Sequence, residues 1–242
     1  MKVYALLTGR GRNTLRDKNI LDVLGKPVLY YPATAVKGSK YVEKFYCSSD
    51  DDKILEEAKK VGYEPIKRPA ELALPTAQHV DAVYHALEVI KMQEELPDLI
   101  VVILANNVTI KTEWVDECIE MLMADESITS VVPVYQDNDH HPFRAKRINS
   151  VGDLVMYDSS HASEALSSNR QDLPECYFLA HNFWVLNVKS LLDKNSIGEP
   201  PWGFMGNKVK GYRIDESIDI HDLTDLELAK IWVEKNRKDI QR

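Results

Sequence analysis

The residues best suited to chemistry stand near the start of the chain, where Thr8-Gly9-Arg10-Gly11-Arg12-Asn13 follows a short apolar run and leads on to Lys18-Asn19. Glycines let backbone N–H groups approach phosphate oxygens, and Arg10, Arg12 and Lys18 carry the charge needed to hold a triphosphate. Neither GxxxxGK[ST] nor GxGxxG is present, so the stretch is a phosphate loop of another kind or a solvated basic turn. Asp50-Asp51-Asp52 reads as a metal-binding motif or, more simply, as a helix N-terminus, whose free N–H groups and dipole favour carboxylates. Asp219 and Asp222, within SIDIHD, read on their own as caps of the helix that follows. Asn106 and Asn107 either donate amide hydrogen bonds to a phosphate or sugar hydroxyl or serve a turn. His140 and His141 make a poor zinc pair, because neighbours in a strand point in opposite directions and no cysteine lies near.

Such residues need a frame, and apolar periodicity supplies one. VYALL (3–7), PVLYYPATAV (27–36), KFYCSS (44–49) and DDKILEEAKKVG (51–62) follow one another in β-α-β-α order. Val80, Val83, Tyr84, Leu87 and Ile90 recur at helical spacing before the buried-strand run LIVVIL (99–104). Thr112 to Ala124 predicts another helix and SITSVVPVY (127–135) another strand. From 137 to 178 the chain turns polar, which predicts an inserted arm. A single strand-like segment, YFLAHNFWVLNV (177–188), then precedes a terminal helix from about Thr224 with Leu228, Ile231 and Trp232 on one face. The expectation is one α/β domain over residues 1–242, Rossmann-like, with a mainly parallel sheet between helices. Ligands bind at the C-terminal strand ends of such sheets, which is where the Gly-Arg loop falls.

Charge limits the partners. The 242 residues hold 30 Lys+Arg against 38 Asp+Glu, a net charge of −8, which argues against a nucleic-acid polymer or an anionic membrane surface. The first twenty residues reverse that balance, with Lys2, Arg10, Arg12, Arg16 and Lys18 facing only Asp17. No apolar run is long enough to span a membrane, and the N-terminus lacks the pattern of a secretory signal. Cys47, Cys118 and Cys176 are odd in number and without paired spacing, so a reduced, cytoplasmic protein is expected.

Several motifs, kept in order and spacing, carry a family resemblance. Lys18-Asn19 closes the Arg-Gly loop, and Gly25-Lys26-Pro27-Val28, Ser48-Ser49-Asp50-Asp51 and Arg68-Pro69-Ala70-Glu71-Leu72 follow. TAQHVDAVYHALE (76–88), HHPFRAK (140–146), RQDLP (170–174) and SIDIHDLTDLELA (217–229) have counterparts in turn. The chain resembles the cytidylyltransferases that activate acidic sugars, above all the N-acylneuraminate cytidylyltransferases, along nearly its whole length. The resemblance implies a nucleotide-diphospho-sugar transferase fold and a homodimer. It also implies a Mg²⁺-assisted reaction of CTP with an acidic 2-keto sugar, giving a CMP-sugar and pyrophosphate. It places Gly9, Arg10, Gly11, Arg12, Lys18 and Asn19 on the triphosphate, Arg68 and Gln78 around the nucleotide, and Asp219 on the metal; Asn106, on the strength of its own amide, is expected to join the nucleotide-binding residues. Arg144, Lys146, Arg170 and Gln171, in the arm, and Asn182 then fall to the acceptor sugar, where a guanidinium fork suits a carboxylate.

Departures from that pattern are equally specific. The loop is one residue short and lacks a central Ser-Lys-Gly, so Arg12 stands in for a lysine, a broad fork for a compact ammonium. His221 occupies the second position of a metal-holding Asp-Ile-Asp, so Asp222 assists, a water fills in, or the metal preference changes. Ala105-Asn106-Asn107 and Ala180-His181-Asn182 replace motifs that face the acceptor, which leaves sialic-acid-like nonulosonates and Kdo-type sugars both open. The rival readings are a glycosyltransferase using Asp50–Asp52, and a degenerate member that only binds nucleotide.

Overall fold

The computed structural model describes residues 1–158 and 167–236. Residues 159–166 of the expected arm lie outside the described residues. A central eight-stranded sheet is built from β1 (Val3–Thr8), β4 (Lys44–Ser49), β5 (Glu64–Lys67), β6 (Leu99–Leu104), β7 (Ser130–Gln136), β10 (Tyr177–Leu179), β11 (Phe183–Asn187) and β12 (Val209–Arg213). Strands β6, β1, β4 and β5 run parallel in that order, and β12 lies parallel to β7. β11 enters antiparallel between β6 and β7, and β10 also pairs with β7 antiparallel. Two small antiparallel pairs sit apart from it, β2 (Asp22–Val23) with β3 (Lys26–Pro27), and β8 (Lys146–Ile148) with β9 (Leu154–Met156).

Helices cover both faces: α1 (Tyr30–Lys37), α2 (Asp52–Lys60), α3 (His79–Gln93), α4 (Thr112–Ala124), α5 (Val188–Leu192) and α6 (Leu223–Lys235). The double cover explains why the apolar runs do not alternate with polar residues. In β1, Val3, Ala5 and Leu7 pack into one core and Tyr4 and Leu6 into the other. β6 divides the same way, with Leu99, Val101 and Ile103 against Ile100 and Val102, so each strand is buried on both faces. Each such aliphatic side chain contributes about 1.5–3 kcal/mol relative to leaving it in water.

Two expectations are corrected. The segment 177–188 is not one strand: it breaks into β10 and β11 at Ala180–Asn182, where His181 takes φ 49°. A left-handed residue cannot continue a ladder, so the chain bulges before it rejoins the sheet. In α6 the buried face is Leu226, Ala229, Trp232 and Val233, while Leu228 and Ile231 are about half exposed. Helical spacing allowed either stripe, and packing against Val23, Val28, Tyr31 and Ile220 selects the first.

Candidate active site

Three parallel strands end together. The C-terminal ends of β1, β4 and β6 deliver Thr8, Ser48 and Leu104 to one edge of the sheet, and Gly9 N–H donates to Ser48 O across it. A cavity of about 370 Å³ opens there, lined by Gly9, Arg10, Lys18, Asn19, Arg68, Gln78 and Asn106. Thr8, His79 and His221 complete its polar wall, and Leu72, Leu74 and Leu104 its apolar one.

The loop after β1 is held by its own side chains. Asn13 Nδ2 and Asn19 Nδ2 both donate to Arg10 O, at 2.7 and 3.0 Å, and Arg10 Nε–H returns a bond to Asn13 Oδ1. Gly9 and Gly11 both stand where a side chain would be crowded. A Cβ on Gly9 would stand 3.1 Å from Ala105 Cβ, and one on Gly11 would stand 2.9 Å from Asp51 Oδ2. Gly11 N–H points at Asp50 Oδ1, 2.9 Å away. Arg12 is exposed, adopts φ 52° and is not among the cavity's lining residues. The cations that line it are Arg10, Lys18 and Arg68. Lys18 Nζ donates to Ile220 O at 3.0 Å, and its burial lowers its pKa against the opposing pull of Asp219. Arg68 is buried against the end of β4, donating to Ser48 Oγ and Ser48 O, and burial lowers its pKa too.

The aspartates divide their labour. Asp51 caps α2 by accepting from Lys53 N–H, and Asp50 tethers the loop through Gly11. Asp222 caps α6 in a reciprocal box with Asp225. Asp219 has neither task. An isolated bridge between Asn107 and Asp219 lays the segment before α6 beside the end of β6. Asn106 Nδ2 donates to Asp219 Oδ1, and Asp219 Oδ2 lies 3.1 Å from His221 Nε2. Asp219 does not itself line the cavity, but both groups bonded to it do. Burial raises its pKa, opposed by the nearby His221, Lys18 and His181.

Asn107 and Asn182 are engaged in tying neighbouring loops together. Asn107 Nδ2 reaches Ala180 O, His181 O and Ser217 Oγ, and Asn182 Nδ2 donates to Thr109 O at 2.7 Å. Arg170 and Gln171 line a second cavity of about 620 Å³ at the base of the arm, where Arg170 pairs with Asp139 at 2.7 Å. Arg144 and Lys146 are exposed on the arm and are not among the residues lining that cavity or the first.

Two features escaped the sequence reading. His79, at the first position of α3, has Nε2 2.8 Å from Thr8 Oγ1, whose hydroxyl donates to Ile103 O, so the ring donates to Thr8. Burial first, then the charges of Arg68 and His181, pull its pKa down to about 4. The second feature is a chamber of about 520 Å³ beside the cavity, sharing Gln78, His79 and Leu104 with it. His181, Trp184, Trp202 and Phe204 wall this chamber, with His181 5.4 Å from Trp202 and Trp184 5.5 Å from Phe204 between ring centres. Four aromatic residues spread over 181–204 were the available signal.

Comparison with known proteins places this geometry. The Cytidylyltransferase family model matches residues 12–192. The chain is 26% identical over 240 residues to a pseudaminic acid cytidylyltransferase of Campylobacter jejuni, covering 98% of this chain and 99% of that protein. It is 25% identical over 248 residues to the N-acylneuraminate cytidylyltransferase of Escherichia coli, covering 99% of this chain and 54% of that protein. Among solved structures it superposes on a CMP:2-keto-3-deoxy-manno-octonic acid synthetase complexed with CTP, with a TM-score of 0.72, 13% identity and coverage of 98% and 100%. A 4-diphosphocytidyl-2C-methyl-D-erythritol synthase from Anaerococcus prevotii gives a TM-score of 0.60 at 16% identity, covering 96% of each chain.

Proposed function

From the premise that the chain belongs to the cytidylyltransferase family, we propose that it joins CTP to a nonulosonic acid of the pseudaminic or sialic acid type, releasing pyrophosphate and a CMP-sugar. The observation that carries this reading is the convergence of Arg10, Lys18 and Arg68 on one cavity of a protein with net charge −8. Three cations at parallel strand ends suit a triphosphate, and this transfer is mostly positioning and charge neutralisation. A sugar hydroxyl attacks the α-phosphorus and the bond to the β-phosphate breaks. Arg10 and Lys18 face the charge that gathers on the departing pyrophosphate. Gln78 lines the same cavity for the nucleoside, with Arg68 between it and the phosphates in role. Asp219 would hold a divalent cation, whose chemistry would be to add positive charge beside the phosphates.

The aromatic chamber adjoining the cavity takes the acceptor, since ring faces shed water and suit the methyl and acyl groups of such sugars. The arm supports a homodimer: Ile148, Val151, Leu154 and Tyr157 each leave 70% or more of their surface exposed. Arg144 and Lys146 then meet the acceptor carboxylate of the other copy. The glycosyltransferase reading has less support, because Asp50 and Asp51 are engaged by Gly11 and Lys53. The test is a panel of pseudaminic acid, N-acetylneuraminate and Kdo with CTP and the other triphosphates, read as pyrophosphate. Release with CTP and a nonulosonate is expected. No pyrophosphate from any combination rejects the reading.

A further inference from the structure

We propose that Asp219 and His221 form a mixed carboxylate–imidazole clamp that prefers a first-row transition-metal dication, Mn²⁺ or Co²⁺, over Mg²⁺. The proposal rests on the nucleotidyl-transfer reading, because triphosphate oxygens and water must fill the other coordination positions. Among the described residues no group of three His, Cys, Asp or Glu side chains is arranged to hold an ion. One or two protein ligands plus nucleotide oxygens is the ordinary composition of a metal site of this kind.

The aspartate pair implied by the family resemblance for Mg²⁺ is not present. Asp222, the next carboxylate along the segment, accepts from Thr224 N–H at 2.7 Å and Asp225 N–H at 3.1 Å, and so is committed to the end of α6. Asp225 accepts in turn from the backbone N–H groups of His221 and Asp222. What remains beside Asp219 is an imidazole. His221 Nε2 lies 3.1 Å from Asp219 Oδ2. At that separation the two side chains hydrogen-bond to each other, and a shared ion would take the place of the proton between them. The second carboxylate oxygen is fixed by Asn106 Nδ2, which orients the first. The His221 side chain is 70% exposed and lines the cavity, so it meets a bound nucleotide without rearrangement of the core.

Donor chemistry decides the preference. Mg²⁺ takes hard oxygen ligands at near-ideal geometry and gains little from nitrogen, whereas affinity for N/O sites rises along the first row from Mn²⁺ through Co²⁺. A site made of one carboxylate and one imidazole therefore loses more with Mg²⁺ than with either of those ions.

Mn²⁺ is the probe. Electron spin-echo spectra of the full chain with Mn²⁺ and CTP are expected to show ³¹P modulation from the triphosphate and ¹⁴N modulation from a directly bound imidazole. In His221→Asp the ¹⁴N signal should vanish while ³¹P persists, and roughly tenfold less Mg²⁺ should displace the Mn²⁺. Phosphorus coupling without nitrogen coupling in the wild type, or nitrogen coupling that survives in His221→Asp, overturns the clamp and leaves the nucleotide site standing. Absence of both couplings overturns the nucleotide reading and the clamp with it.

Discussion

Gly11 donates its backbone N–H to Asp50 Oδ1 at 2.9 Å, which fastens the loop after β1 to the end of β4, 39 residues further along the chain. Asp51, the next residue, caps α2. One acidic run therefore starts a helix and sets the position of the loop that carries Arg10.

Removing that tether separates positioning from stability. A hydrogen bond to a charged group contributes about 1.5–3 kcal/mol when buried, and Asp50 is only half-buried, so about 1 kcal/mol is at stake. Asp50→Ala is expected to raise KM for CTP roughly tenfold and to lower the melting temperature by only a few degrees. Steady-state kinetics at saturating acceptor, with KM unchanged, would remove Asp50 from the account.

Arg10 tests the charge rather than the scaffold. Its guanidinium lines the cavity, and its carbonyl, which Asn13 and Asn19 hold, is kept when the side chain is cut. Arg10→Ala should cost turnover about 10²–10³-fold, the scale of losing one donor to developing transition-state charge. The melting temperature should move little. Turnover within twofold of the wild type contradicts a role on the triphosphate.

The parts of this architecture legible in the residues were those set by local pattern. Thr112–Ala124 forms α4 with the bounds its periodicity predicted, and the doubly buried runs of β1 and β6 are the parallel core they resembled. Contacts between distant segments were not legible. Nothing in Asp50 announces Gly11 as its partner, and nothing in His79 announces Thr8, because both pairings exist only once the strand ends meet. The split at His181 was hidden for a different reason. Phe183, Trp184, Val185 and Leu186 are as apolar as a continuing strand, and a left-handed backbone has no hydropathy signature.

His79 gives the fold a pH dependence with a definite sign. Its ring holds a proton only below about 4 in the folded protein, against 6.5 for the ordinary value. Between those values the unfolded chain binds more protons, so stability is full above about pH 6.5 and falls as pH drops toward 4. The whole shift corresponds to about 3 kcal/mol. Glu94, held down to about 2 by Lys44, Tyr46 and Tyr4, loses its contribution only in more acid solution and does not blur the window. Melting temperature measured from about pH 7.5 to 4.5 should decline less in His79→Gln than in the wild type. Parallel curves would show that the ring is not the group responsible.

Asp222 offers a stability change away from the triphosphate. Its side chain accepts from Thr224 and Asp225 N–H groups while Asp225 reaches back to the cap. Asp222→Ala should cost about 1 kcal/mol, or roughly 2–4 °C in a chain of this size. Because α6 packs through Trp232 and Val233 near Ile220, the loss is felt as a looser C-terminal helix, with hydrogen exchange rising there first. Protection unchanged across α6 would contradict the capping role.

On the proposed reading the arm would connect assembly to activity. Ile148 and Leu154 face each other across the β8–β9 pair, 73% and 70% exposed, with Val151 at the turn between them. A cluster of exposed apolar side chains on one short hairpin suits a contact surface, and on the proposed reading the cover is a second copy. Placing lysine at both positions puts charge into that contact, so Ile148→Lys with Leu154→Lys should convert a dimer into a monomer by light scattering. The Arg10, Lys18 and Arg68 cavity lies on the strand ends and should still bind CTP in calorimetry. Turnover with the acidic sugar should fall, because Arg144 and Lys146 no longer reach the partner's acceptor. A monomeric wild type, or a monomeric variant with full turnover, separates the arm from catalysis and returns Arg144 and Lys146 to the surface.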